Sequence, residues 1–273
     1  GCHYIDLADA RDFVATIGVL DAEARAQDVL VVSGASSVPC LTAAVIDDYL
    51  PRFSRLESVD YGISAAKQTN RGLATASAIL SYVGKPFTSL RVGRATTVHG
   101  WQDLHAEHYP ELGMRLFGDC DIPDLALFPA RYSTLKTMRF CAGHEIKLLH
   151  LGTWLLSWLV RCGIVPSIGA YADRLLRLSF LFDRLGSSSS GFHMYMIGEG
   201  TDRQRLEERF FIIARSGHGP YIPCMPAILL ACRLANGTIE RRGAMPCVDL
   251  ITLEDYLAAL DGLDISIVRE TRS

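Results

Sequence analysis

The sequence predicts an α/β protein in which part of a parallel sheet is followed by an α+β portion. Three observations carry this. Residues 3–33 read strand, helix, strand, and the second strand, Val29-Leu30-Val31-Val32, is a continuous apolar run, as in a parallel strand covered on both faces. Residues 192–198 and 205–216 alternate as an antiparallel pair. Ahead of that pair lie two long helical patterns, about 145–162 and 168–185.

Taken in order, residues 3–7 form a short strand, Asp9 stands where a carboxylate would cap a helix over about 10–17, and residues 20–26 form a second helix. After the strand at 29–32, Gly34-Ala35-Ser36-Ser37-Val38-Pro39 makes a turn. Pro39 suits the first turn of a helix running to about Leu50. Residues 57–65 alternate as a strand, and Leu73, Ala76, Ile79, Leu80 and Val83 share one helical face. Residues 100–128 hold only short strand and turn signals, and 135–142 reads as a strand. Ser187 to Ser190 mark a loop. A helix over 227–234 stops at Gly237, Thr252 caps a last helix with Asp255 in its first turn, and residues 265–268 form a final strand.

The chain has 273 residues, 49% hydrophobic and 21% charged, with a net charge of −3. That balance lacks the concentrated basic surface that a nucleic-acid backbone requires. The most apolar stretch, residues 148–160, is shorter than the ~20 residues of a membrane helix. The eight cysteines show no C-x-x-C spacing, so reduced thiols in a cytoplasmic protein are expected.

Motifs for specific chemistries are incomplete. There is no G-x-G-x-x-G and no G-x-x-x-x-G-K-[ST], so this sequence contains no phosphate cradle of either kind. Tyr132 and Lys136 have Y-x-x-x-K spacing, Ser64 and Lys67 have S-x-x-K, and His105, Glu107 and His108 give an H-x-E without its cysteine partners. His144, Glu145 and His150 miss the H-E-x-x-H register, and no metal site is expected. His218, in the tight loop Gly217-His218-Gly219-Pro220, is the candidate catalytic imidazole; a turn histidine with no chemical role is the competing reading.

Two segments together resemble the saccharopine dehydrogenase-like family. The first is His3-Tyr4-Ile5-Asp6-Leu7 with Val31-Val32-Ser33-Gly34-Ala35-Ser36-Ser37-Val38-Pro39. The second is Gly217-His218-Gly219-Pro220-Tyr221-Ile222-Pro223, Ala231-Cys232-Arg233-Leu234-Ala235-Asn236-Gly237 and Arg242-Gly243-Ala244-Met245-Pro246-Cys247. The resemblance implies an oxidoreductase with the remnant of a Rossmann-type parallel sheet binding NAD or NADP, a small amino-acid-like substrate, and dimer contacts that make a homodimer. Residues 1–52 would be the end of the dinucleotide-binding domain and 53–273 a substrate-binding and dimerisation domain, with the last helices returning to the first. The phosphate-binding turn is then expected before Gly1. Carried onto this chain, Tyr4, Asp6, Gly34, Ser36, Ser37 and Pro39 would face the cofactor, at the carboxyl ends of parallel strands where ligands of such sheets bind. Capping roles for Asp6 and Ser36 compete with that reading, and Tyr4, Lys67 and His218 are the options for a proton donor. Two alternatives stand beside it: a non-catalytic binding or assembly module that keeps the fold, and a short-chain dehydrogenase using Tyr132 and Lys136.

Overall fold

A computed structural model describes residues 1–69 and 72–272. The apolar run becomes strand β2, Leu30–Ser33, whose neighbours are β1, Tyr4–Ile5, and β11, Gly243–Pro246, both parallel to it. Between β1 and β2 lie helices α1, Arg11–Thr16, and α2, Asp21–Ala26, and α3, Thr42–Tyr49, follows β2. The segment 243–246, which reads as a turn in sequence, is thus a strand that brings the C-terminal part of the chain back onto the first sheet.

The larger sheet is mixed and seven-stranded. Its members are β3 (Phe53–Ala65), β6 (His105–Tyr109), β7 (Gly113–Asp119), β8 (Thr137–His144), β9 (Ser190–Gly200), β10 (Arg205–Ala214) and β12 (Ile265–Arg272). Their spatial order is β12-β10-β9-β3-β8-β7-β6. β3 and β8 are parallel and the other pairings antiparallel. β7 and β8 share only Gly118↔Ala142 and Asp119↔Cys141, so the β6–β7 hairpin curls out of line with the rest. A separate hairpin, β4 (Pro86–Arg91) with β5 (Arg94–His99), was not anticipated from sequence, because its mixed polar and apolar residues show no clear period. Helices α4 (Leu73–Tyr82), α5 (Asp124–Arg131), α6 (Lys147–Arg161), α7 (Ala172–Phe180), α8 (Tyr221–Ala235) and α9 (Leu253–Ala258) complete the chain.

Side chains alternate along the large sheet. Val59 and Tyr61 of β3, Met138 and Phe140 of β8, Met194 and Met196 of β9, and Phe210 and Ile212 of β10 point to one face. There they join Leu30 and Val32 of the small sheet and α3 in one continuous core. Asp60, Gly62, Arg139, Cys141, His193 and Tyr195 lie on the other face.

Several local expectations change. Asp9 does not cap α1: the N-cap is Ala10, with no side-chain bond, because Asp6 already turns the chain by accepting from the Ala8 amide at 2.9 Å. The helix after β2 begins at Thr42, not beside Pro39. Ser37–Leu41 form a separate turn in which Val38 is extended and the Val38–Pro39 bond is cis. The helix ending before Gly237 starts at Tyr221 rather than 227, since Pro223 falls in its first turn, where the missing N–H is no loss. The Thr252 cap holds as expected, with its hydroxyl accepting from the Asp255 amide at 3.1 Å.

Candidate functional site

Because β1, β2 and β11 are parallel, their carboxyl ends share one edge, and the loops leaving them are Asp6–Ala10, Gly34–Leu41 and Cys247–Leu250. Asp6 organises this edge. Its Oδ1 accepts from the Ser33 hydroxyl at 3.0 Å, the Gly34 amide at 3.0 Å and the Ala8 amide at 2.9 Å. The Ala35 amide returns to the Asp6 carbonyl at 2.8 Å, and Cys247 donates to the Ser33 carbonyl at 2.8 Å. Gly34 has φ +74°, and a Cβ there would sit 2.7 Å from Pro39 Cδ, so glycine is required twice over. The second Asp6 oxygen, Oδ2, is buried without a hydrogen-bond partner among the described residues. A buried acceptor left open costs free energy, and a hydroxyl or amide arriving at this edge would satisfy it. Asp6 also raises the pKa of the Tyr4 phenol, chiefly through hydrogen bonding, although no bond of good geometry joins the two.

The other residues predicted for this edge are placed differently. Ser36, Ser37 and Pro39 are buried in the turn between β2 and α3, and the Ser37 hydroxyl lies toward the Tyr256 phenol. Their amides do not open an α-helix, which starts at Thr42.

Arg11, at the start of α1, reaches across the edge. It donates to the Thr88 carbonyl at 2.8 Å, pairs with the Asp121 carboxylate and lies 5.7 Å from the Phe87 ring centroid. Around it stand Asp9, Asp12, Cys120 and Tyr82. Burial raises the carboxyls of Asp9 and Asp121 and pushes the Cys120 thiol up to about 12. Burial first, and then Asp9 and Asp121, raise the Tyr82 phenol. Asp9 itself is exposed at the surface.

Beneath this edge Asp124 is fully buried. Its Oδ2 accepts from Thr42 at 2.6 Å and Tyr61 at 2.9 Å, while Oδ1 has no hydrogen-bond partner among the described residues. Burial pushes this carboxyl up to about 7, and the two hydroxyl bonds only partly restrain it. Sequence reading had no signal for Asp124: its importance comes from α3, β3 and α5 meeting around it.

The remaining candidates go elsewhere. His218 accepts the Asp264 amide on Nδ1 at 2.7 Å and packs edge-on against Tyr221, so it pins two loops together, and no hydrogen bond links it to the Asp6 edge among the described residues. Lys67 is buried and pairs with Asp183 at 2.6 Å. Tyr132 ends α5, donating to Asp47 at 2.8 Å, and Lys136 pairs with Glu57 at 2.6 Å. The two share no helix, and burial with Asp47 raises the phenol, opposite to what a tyrosine base needs. His105 Nδ1 lies 2.6 Å from Arg139, and Glu107 accepts from Tyr195 at 3.0 Å. His150 is buried and held down to about 4 by burial. One group was invisible in sequence: Asp60, Cys141 and His193 converge on the outer face of the large sheet.

A dinucleotide fits this edge in part. The strand ends, the left-handed Gly34 and the open Asp6 oxygen suit its approach, whereas a glycine-rich cradle for the pyrophosphate is not in this sequence. No family model matches the chain, and no curated protein matches it in sequence. Apo histidine-tagged saccharopine dehydrogenase (L-Glu forming) from Saccharomyces cerevisiae is similar in structure, with TM-score 0.59, 11% identity, and coverage of 93% of this chain and 76% of that one. The chain shares its mixed α/β fold with that enzyme. No helix among the described residues is long and apolar enough to cross a membrane.

Proposed function

We propose that this protein is an oxidoreductase that transfers a hydride between NAD or NADP and a small amino-acid-like substrate. The observation that carries it is the edge where three parallel strands end around Asp6, on a fold shared with a dehydrogenase. Asp6 would receive the cofactor through its open oxygen, and Gly34 would let backbone approach it. When bound, the nicotinamide supplies the hydride acceptor or donor. In this reading the segment 1–52 with β11 forms the cofactor side and the segment from β3 onward the substrate side.

The carboxylates around Arg11 favour a substrate bearing an amine. Asp9, Asp12 and Asp121 stand there against Arg11, and a protonated amine is the charge such a group would hold. Tyr82 is a hydroxyl on which these carboxylates act.

The test is calorimetric titration of NADH and NADPH into the protein as its organism makes it, alongside a Gly34→Val variant. Binding that the variant loses supports the reading. No binding of either nucleotide leaves a non-catalytic binding module as the better account, because a shared fold does not carry function by itself.

A further inference from the structure

On the outer face of the large sheet three strands bring unlike metal-binding groups together. The register places Gly62 of β3 opposite Cys141 of β8 on one side and His193 of β9 on the other. All three side-chain positions point to the same face. A Cβ at Gly62 would lie 2.5 Å from Cys141 Sγ and 2.8 Å from His193 Cε1, so both side chains lean over the glycine toward each other. Sγ and Nε2 come to 4.0 Å. Asp60 lies two residues along β3 on the same face, and one ligand atom from each of Asp60, Cys141 and His193 falls within 4.8 Å of the other two.

We propose that Asp60, Cys141 and His193 form a zinc-type divalent metal site. A thiolate, an imidazole and a carboxylate are the donors that a borderline-soft cation takes in tetrahedral geometry. Bonds of about 2.0–2.3 Å imply ligand separations of roughly 3.3–3.7 Å, so binding requires the ligand atoms to close by up to about 1.5 Å. Three features favour it. Asp60 Oδ1 is buried and without a hydrogen-bond partner among the described residues. His193 Nδ1 lies 2.6 Å from the Tyr109 hydroxyl; when Nδ1 donates there, the Nε2 lone pair is left toward Cys141, the outer-shell arrangement of metal-bound histidines. Tyr109 in turn lies 3.5 Å from the Gly62 carbonyl. The Arg139 cation stands 3.7 Å from Asp60 Oδ2 but is also held by Asp119 at 2.9 Å and Asp103 at 3.0 Å, and so leaves Oδ1 open.

Cys141 and His193 are buried and Asp60 is half-exposed, so the cation enters past Asp60. On binding, the Cys141 thiol donates to the metal as thiolate, and its proton, at present directed to the Tyr61 carbonyl at 3.2 Å, leaves to solvent. The set supplies three protein ligands and leaves a fourth position for water.

The test is titration of metal-stripped protein with Zn2+ against a competing chelator, and with Co2+ followed by its absorption spectrum. The expected result is one equivalent bound tightly, with a thiolate-to-cobalt charge-transfer band. Cys141→Ser and Asp60→Asn are each expected to weaken Zn2+ binding by more than about 100-fold, beyond the loss typical of an outer-shell partner, and Cys247→Ser to leave it unchanged. Asp60→Asn is the variant expected to fold whatever happens to Cys141→Ser, because Asp60 is half-exposed. Absence of the charge-transfer band in the unaltered protein, or Zn2+ affinity unchanged in Asp60→Asn, overturns the proposal.

Discussion

Asp124 provides the sharpest test of the packing between the two sheets. Its carboxyl is fully buried with one oxygen unpartnered, and burial moves it from 3.8 to about 7. The folded state therefore holds this proton more tightly than the unfolded chain does. By linkage, stability falls as pH rises wherever the folded state binds more protons. The contribution of Asp124 is complete below pH 4, is lost as pH climbs from about 4 to about 7, and changes no further above that. The shift is worth at most roughly 4 kcal/mol across the window. Asp124→Asn stays neutral at every pH, and its carbonyl can still accept from Thr42 and Tyr61. Urea unfolding of both proteins from pH 4.5 to 8 isolates the effect. The unaltered protein should lose stability relative to Asp124→Asn as pH rises, by up to a few kcal/mol. Other buried groups that titrate nearby, Asp60 and His150 among them, are common to both proteins and cancel in the difference. A difference independent of pH, or one that grows in favour of the unaltered protein, would show that Asp124 is an ordinary ionised carboxylate and refute the reasoning.

Gly34→Val should destabilise the fold by about 2 kcal/mol or more in chemical denaturation, through its φ of +74° and the approach to Pro39; a change within error would mean that the turn relaxes freely. Tyr132→Phe should cost roughly 1–3 kcal/mol through its lost bond to Asp47 and leave any nicotinamide-dependent turnover intact, whereas loss of turnover in a folded variant would revive a tyrosine-base mechanism. We propose that the homodimer expected from sequence would use the exposed apolar residues of α6, where Leu148 and Leu155 are exposed by 61% or more. Leu155→Glu should then shift the mass measured by light scattering from dimer to monomer, and a monomeric mass for the unaltered protein at micromolar concentration counts against it.

What was legible in the sequence was local. The apolar run at β2, the alternation of β9 and β10, the Thr252 cap and the Gly237 stop each depend on neighbours a few residues away, and each is found in the structure. The misreadings have a common cause. Residues 243–246 have turn residues in sequence but gain a strand's hydrogen bonds from β2, a partner about two hundred residues away. The hairpin of β4 and β5 is mostly polar and supported by its own pairing. Asp9 looked like a cap because Asp6 was not known to have taken the turn. In each case tertiary pairing decided between conformations that the local sequence left open.

The same distinction separates the two places where chemistry is proposed. At the Asp6 edge the residues lie at the ends of consecutive strands of one βαβ unit, so their convergence follows from topology alone, and sequence could point to Asp6 and Gly34 together. It could not show that Ser36 and Ser37 turn inward, because that depends on how the Ser37–Leu41 turn packs beneath α8 and α9. The Asp60, Cys141 and His193 group depends instead on register. A one-residue slip of β8 or β9 against β3 would send Cys141 or His193 into the core and bring a core residue such as Phe140 or Met194 to the outer face. The buried alternation of Val59 with Tyr61, Met138 with Phe140, and Met194 with Met196 prevents that slip. The apolar core therefore fixes, from the opposite face, the positions of three ligands that no short motif could have joined.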